Sequence, residues 1–237
     1  MAKKNRMTFE FTKLKELDFD MKAETKPEGR RYVTPEGNAY PSVTTVLSSF
    51  NKKAIQEWRN RVGEDVANKI STQASSRGTR LHTMCEQYLL NELTLKRMSS
   101  AFPDAKDLFF KMKPKLDDNI GKVYSLEQAL YSDELKLAGR VDCIAEWNGQ
   151  LSVVDFKSAA KEKKEDWIEN YFMQCTAYAM MFEERTGIPI NQIVVAIAVT
   201  NGDSQIFVKQ KDDYMSSLKH FIDEYYTTLW GNKKCLL

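Results

Sequence analysis

Three residues in this sequence, Asp142, Asp155 and Lys157, have types and spacing that could do chemistry. They lie in one stretch, residues 135–157, that reads as a β-hairpin. Apolar and polar side chains alternate from Leu137 to Trp147, Asn148-Gly149 follows, and residues 151–157 are apolar and β-branched. Alternation marks a half-buried strand. Asn-Gly suits a type I′ turn, whose two central residues both need positive φ. With those two as the loop, Trp147 faces Gln150. Val141 then faces Phe156 and Cys143 faces Val154 on one apolar face, while Asp142 lies opposite Asp155 and Arg140 opposite Lys157. Facing Cβ atoms sit about 5 Å apart, and like charges there destabilise a sheet. Paired carboxylates on an apolar sheet fit a shared proton or a divalent cation. A hard ion such as Mg²⁺ takes carboxylate, water and phosphate oxygens. Lys157 shares the face of Asp155 by strand period. The three could bind a metal and orient a water for phosphodiester attack. A surface hairpin with solvated charges is the plain alternative.

The elements that would hold these residues follow from local pattern. Residues 1–30 read as a charged, loosely packed arm, and 31–237 as a single domain in which 50–120 form a helical insertion. Residues 30–47 predict two short strands around Pro35–Asn38, with Pro41-Ser42 leading into a helix. Residues 52–72 predict one helix with Ile55, Trp58, Val62, Val66 and Ile70 as a core-packing stripe. Ser75 and Ser76 are candidate N-caps for a further helix carrying His82 and Glu86 at i, i+4. Arg77 and Arg80 would then lie near a helix start, where backbone N–H groups favour anions. Residues 104–120 predict a helix burying Ala105, Leu108, Phe109, Met112 and Leu116, disturbed at Pro114, with Lys106, Lys111, Lys113 and Lys115 outside. Residues 122–131 read as a strand on which Glu127 is a candidate additional acid. The Lys/Glu run at 161–165 opens a helix that Gly187 ends, with Tyr171, Gln174, Cys175 and Tyr178 on one face. A strand at 192–200, a turn at 201–203, a returning strand at 205–209 and an amphipathic helix at 212–230 through Tyr214, Leu218, Phe221, Ile222, Tyr225 and Leu229 complete the chain.

Composition bounds the function. The 237 residues carry a net charge of +2, so any polyanion surface must be a local patch rather than a global one. Cys85, Cys143, Cys175 and Cys235 form no close pair, which argues against a zinc ribbon or a local iron–sulfur motif and fits a reducing compartment. The first twenty residues lack a signal-peptide apolar core and carry acids that a mitochondrial transit peptide would avoid, and no apolar run is long enough to span a membrane. A cytoplasmic protein without a membrane partner is the expectation.

Five pieces in order resemble the PD-(D/E)XK nuclease superfamily, in its RecB-type exonuclease branch. They are RGTRLH at 77–82, Glu127 on the first strand, GRVD at 139–142, DFK at 155–157 and QCTAY at 174–178. The segment YPSVTTVL at 40–47 is similar to mitochondrial genome maintenance exonucleases and phage-encoded exonucleases. The resemblance implies an α/β fold, a central mixed β-sheet flanked by helices with N-terminal helical additions. It implies Mg²⁺ or Mn²⁺ held by His82, Asp142, Asp155 and the Phe156 carbonyl. Lys157 would orient water or stabilise the phosphorane charge, with Gln174 and Tyr178 supporting the site and touching DNA beside Arg77, Arg80 and Arg140. The acid before the lysine is often Glu in the family and here is Asp155. The cysteine cluster of some relatives is absent, so no iron–sulfur cluster is carried over.

The expected activity is metal-dependent DNA exonuclease action on single-stranded or frayed ends, in replication, recombination or DNA degradation. The setting would be a bacterial host cytoplasm if the chain is phage-encoded, alongside other replication or recombination proteins. A structure-specific or nicking endonuclease of the same superfamily, or a catalytically dead nucleic-acid-binding protein, are the alternatives. In the leading reading, helical arginines and lysines hold the phosphate backbone without reading bases.

Overall fold

The computed structural model describes residues 8–234. A small antiparallel sheet comes first: β1 (Lys22–Lys26), β2 (Gly29–Val33) and β3 (Ala39–Pro41). Helices α1 (Val43–Ser49), α2 (Lys52–Val62), α3 (Glu64–Leu89), α4 (Leu95–Ser100) and α5 (Pro103–Asn119) follow. The main sheet is built from β4 (Ile120–Ser132), β5 (Leu137–Trp147), β6 (Gln150–Ala159), β7 (Gln192–Val199) and β8 (Gln205–Gln210), in that spatial order. Helix α6 (Glu169–Thr186) connects β6 to β7, and α7 (Asp212–Lys234) closes the described chain. β6 and β7 are parallel and the other neighbours antiparallel. A parallel pair needs a long crossover, and α6 supplies it. The fold is the expected mixed sheet between helices.

The sheet divides two hydrophobic layers. On one face Val46, Phe172, Met173, Phe182 and Leu218 pack against Val153, Val195 and Ile197. On the other, Leu81, Leu89, Leu108, Phe109 and Met112 pack against Val154, Val194 and Ala196. β7 is buried along its whole length and alternates between the two layers. A strand covered on both faces reads as a continuous apolar run, which is what QIVVAIAV is. The helix expected at 104–120 is α5, with the five anticipated side chains buried and Pro114 accommodated inside it.

The hairpin turn is as expected: Asn148 and Gly149 have φ of 52° and 80°, and Trp147 pairs with Gln150. Other expectations change. The β5–β6 ladder runs only as far as Cys143–Val154; beyond it β5 pairs with β4 and β6 with β7. Val141 packs in the α6 layer and Phe156 in the α3 layer, so the two do not share an apolar face. Arg140 pairs with Ala129 of β4 instead of facing Lys157.

The helix expected at 52–72 breaks at Gly63 (φ 87°), where α2 ends and α3 begins. Its apolar stripe is not core, since Ile55, Val66 and Ile70 are about half exposed. Ser75 and Ser76 are interior to α3, which runs unbroken through Arg77 and Arg80, so neither serine is a cap and neither arginine sits at a helix start. Residues 161–164 precede a 3-10 turn at Glu165–Trp167, and α6 starts at Glu169. The segment expected to be a loose arm is anchored: Phe9, Leu17 and Met21 are buried, and β1 pairs with β2. Cys235 and the side chain of Leu229 lie outside the described residues.

Candidate metal and active site

The separation of β5 from β6 makes the site. Where the ladder ends, the Phe156 N–H donates to Oδ2 of Asp142 at 2.8 Å, a carboxylate oxygen standing in for a strand carbonyl. On the other side of β5, Glu127 interrupts pairing with β4: partners run Leu126–Cys143 and then Gln128–Val141, and Glu127 has φ 47°. A left-handed backbone is rare outside Gly, Asn and Asp. It aims the Glu127 carboxylate beside Asp142.

Helix α3 brings the third group. His82 Nδ1 lies 3.4 Å from Asp142 Oδ1. One ligand atom each from His82, Glu127 and Asp142 falls within 4.8 Å of the others. Two carboxylates and an imidazole at that spacing are a donor set for a divalent ion. Asp155 is not part of this trio; it is 1% exposed and ion-paired with Lys157. Gln174 of α6 donates from Nε2 to Asp155 Oδ1 at 3.1 Å. The acids and their partners form two adjoining clusters, His82–Glu127–Asp142 and Asp155–Lys157–Gln174, close enough that the Asp142 charge acts on Asp155. Glu127 is the residue that sequence reasoning undervalued, and its position in the ladder was the available signal: it counts to a place opposite Asp142.

The electrostatics follow from burial and crowding. Burial pushes the Glu127 carboxyl up to about 7, with the Asp142 charge adding to it. Burial likewise pushes Asp155 up to about 6, against the pull of Lys157. Asp142 stays below the usual carboxylate range: burial works to raise it, but His82, Lys157 and the Phe156 N–H outweigh burial. Burial would lower Lys157, yet Asp155 and Asp142 hold it above the ordinary lysine value. The same contest, with Asp142 as the winning partner, raises His82. Lys157 therefore stays charged, and Glu127 carries a carboxyl that a cation would readily deprotonate.

A cavity of about 670 Å³ opens over Asp142. Thr79, His82 and Glu86 line it from α3, Arg30 and Tyr32 from the small sheet, and Gln174 and Tyr178 from α6. Gly139 lies against Tyr178: a Cβ there would come within 2.7 Å of the ring. The three arginines expected at DNA are differently placed. Arg140 is bonded to the Glu127 carbonyl and to Asp20. Arg80 is ion-paired with Asp104 at 2.5 Å and its guanidinium lies 4.6 Å from the Phe102 ring centroid, beside a second cavity. Arg77 is partly buried with Nε unpartnered.

A profile of the PD-(D/E)XK nuclease superfamily matches residues 53–224, most of the chain. The chain belongs to that superfamily. PD-(D/E)XK nucleases use divalent metal ions, and the donor set formed by His82, Glu127 and Asp142 suits one. Among individual proteins, this nuclease chain is 27% identical over 178 residues to mitochondrial genome maintenance exonuclease 1 of Homo sapiens, covering 70% of this chain and 51% of the human one. It is 27% identical over 203 residues to the Xenopus tropicalis protein of the same name, covering 80% and 56%. The chain thus spans about half the length of these curated relatives. A Eubacterium rectale crystal structure described as a candidate exonuclease overlays 68% of this chain and 69% of its own, with TM-score 0.46 and 10% identity. Among the described residues no helix is long and apolar enough to cross a membrane.

Proposed function

We propose that this PD-(D/E)XK nuclease is a Mg²⁺- or Mn²⁺-dependent DNA exonuclease that works from single-stranded or frayed ends. The observation that carries the reading is the convergence of His82, Glu127 and Asp142 next to the buried Asp155–Lys157 pair.

In this reading His82, Glu127 and Asp142 would hold the ion, with Asp155 and the Phe156 carbonyl as further ligands. A bound divalent ion polarises the scissile phosphate and acidifies a water. Lys157 presents a fixed positive charge where negative charge develops on the phosphate, and fixed donors act most strongly in a site shielded from water. Asp155 holds the Lys157 ammonium, and Gln174 holds Asp155. Tyr178 walls the cavity from α6. Arg30 and Arg77 meet backbone phosphates, and residues 50–120 form one side of the DNA path. Other replication or recombination proteins would deliver the ends.

The test is digestion of end-labelled single- and double-stranded linear DNA beside a covalently closed circle. Loss of linear DNA with Mg²⁺, none in EDTA, and an intact circle are expected. Nicking of the circle at the rate of end digestion would make the protein an endonuclease instead.

A further inference from the structure

Arg140 sits at the mouth of the cavity, on the strand that carries Asp142, which suggests a phosphate contact. Its hydrogen bonds say otherwise. One guanidinium nitrogen, Nη1, donates to the backbone carbonyl of Glu127, and the other, Nη2, donates to Asp20 Oδ1 at 2.7 Å. Each terminal nitrogen is thus engaged within the protein.

The carbonyl it holds belongs to the residue with the left-handed backbone, Glu127, φ 47°. Glutamate has no intrinsic preference for that conformation, and such residues persist where their surroundings fix them. Three contacts from one chain segment do so here. Asp20 anchors Arg140, and its Oδ1 also accepts the Met21 N–H at 2.9 Å. Gln128, next to Glu127, donates to the Phe19 carbonyl at 3.2 Å. Met21 is buried in a small cluster with Ala129, Tyr131 and Ala138. Residues 19–21 therefore lie against the left-handed bend at Glu127, whose carboxylate sits beside His82 and Asp142 in the candidate metal set.

We infer that Arg140 is a positioning residue: clamped between Asp20 and the Glu127 carbonyl, it fixes the backbone that delivers the Glu127 carboxylate to the divalent ion. The inference rests on the metal-dependent reading of the same site. It makes the segment at 19–21, far from the site in sequence, part of what sets metal affinity. Bonds to groups that orient metal ligands commonly matter about 10- to 100-fold in affinity.

The test measures Mn²⁺ binding by calorimetry without DNA, and binding of a single-stranded oligonucleotide by anisotropy in EDTA. Arg140→Ala should weaken Mn²⁺ about tenfold or more, with Arg140→Lys partly restoring it and Asp20→Asn costing less. DNA affinity in EDTA should stay within about twofold, since no phosphate contact is lost. In a Glu127→Gln background, Arg140→Ala should have no further effect on Mn²⁺, because both changes act on one ligand. Unchanged Mn²⁺ affinity in Arg140→Ala, or an equal loss in the Glu127→Gln background, overturns the inference. If Arg140→Ala does not fold, Asp20→Ala decides: its carboxylate is largely exposed, and unchanged Mn²⁺ affinity there overturns the clamp. A wild-type protein that binds no Mn²⁺ overturns the metal reading itself, and the inference with it.

Discussion

The Phe156 N–H and the Asp142 carboxylate are joined at 2.8 Å just past the last β5–β6 pair. Asp142 thus divides its two oxygens, one tying two parting strands and the other facing His82. Asparagine can keep the first role through its amide oxygen but lacks the charge. Asp142→Asn should melt within about 1 kcal/mol of the parent, the net worth of one hydrogen bond. Its Mn²⁺ binding and cleavage should both fall at least about tenfold. Calorimetry beside a thermal melt separates the two.

Gln174 reaches Asp155 from the opposite helix layer. Removing its amide leaves a buried carboxylate short of a donor, a loss of about 1–3 kcal/mol. Gln174→Ala should lower the cleavage rate by about ten- to a hundredfold while DNA binding in EDTA persists. Lys157→Ala should lower it further, because it removes the charge itself. Single-turnover kinetics beside anisotropy read both.

Two glycines should respond in opposite ways. A methyl at Gly139 would meet the Tyr178 ring at 2.7 Å, so Gly139→Ala must displace that ring. A cost of about 1–3 kcal/mol, usual for overpacking, and reduced cleavage are expected. A methyl at Gly78 meets only Ser158 Oγ, at 3.7 Å, inside α3. Gly78→Ala should stabilise by up to about 1 kcal/mol through helix propensity. Urea titrations at constant m-value give both numbers.

Stability without metal should fall as pH rises. Glu127 and Asp155 are pushed up to about 7 and about 6, chiefly by burial. The folded protein therefore binds protons that the unfolded chain has already released, and stability declines across the window from roughly pH 4 to 7. The raised His82 adds to the slope above it, whereas the lowered Asp142 costs stability only at more acidic pH. Glu127→Gln should flatten the upper part of the slope, recovering on the order of 2 kcal/mol near pH 8 after discount for solvent contact. Mn²⁺ should flatten it in the parent protein and not in the variant, as thermal melts across pH would show. A parent slope of the opposite sign would refute the assignment.

The hairpin and its two acids were legible because their signals are local: Asn-Gly dictates the turn, and the turn dictates the register to Cys143–Val154. What the register could not say is where the ladder stops. That depends on β5 and β6 parting while each keeps its outer partner, β4 and β7, which no residue between 140 and 157 announces. Glu127 was underread for a related reason, since a glutamate in a left-handed bend is held by distant groups, Arg140 and Phe19 among them. Periodicity found the helix of Ile55, Val66 and Ile70 but not its surroundings. A 3.6-residue stripe reports that one face is apolar, not that anything covers it. The serines at 75 and 76 resembled caps only because the break that ends a helix lies earlier, at Gly63.

β7 carries a last consequence. Its alternate side chains belong to different layers, Val194 to one and Val195 to the other. Neither layer can melt without exposing a strand the other still needs. The groups from α3 and those from α6 are therefore gained or lost together, and a half-assembled nuclease is not a state this chain can comfortably occupy.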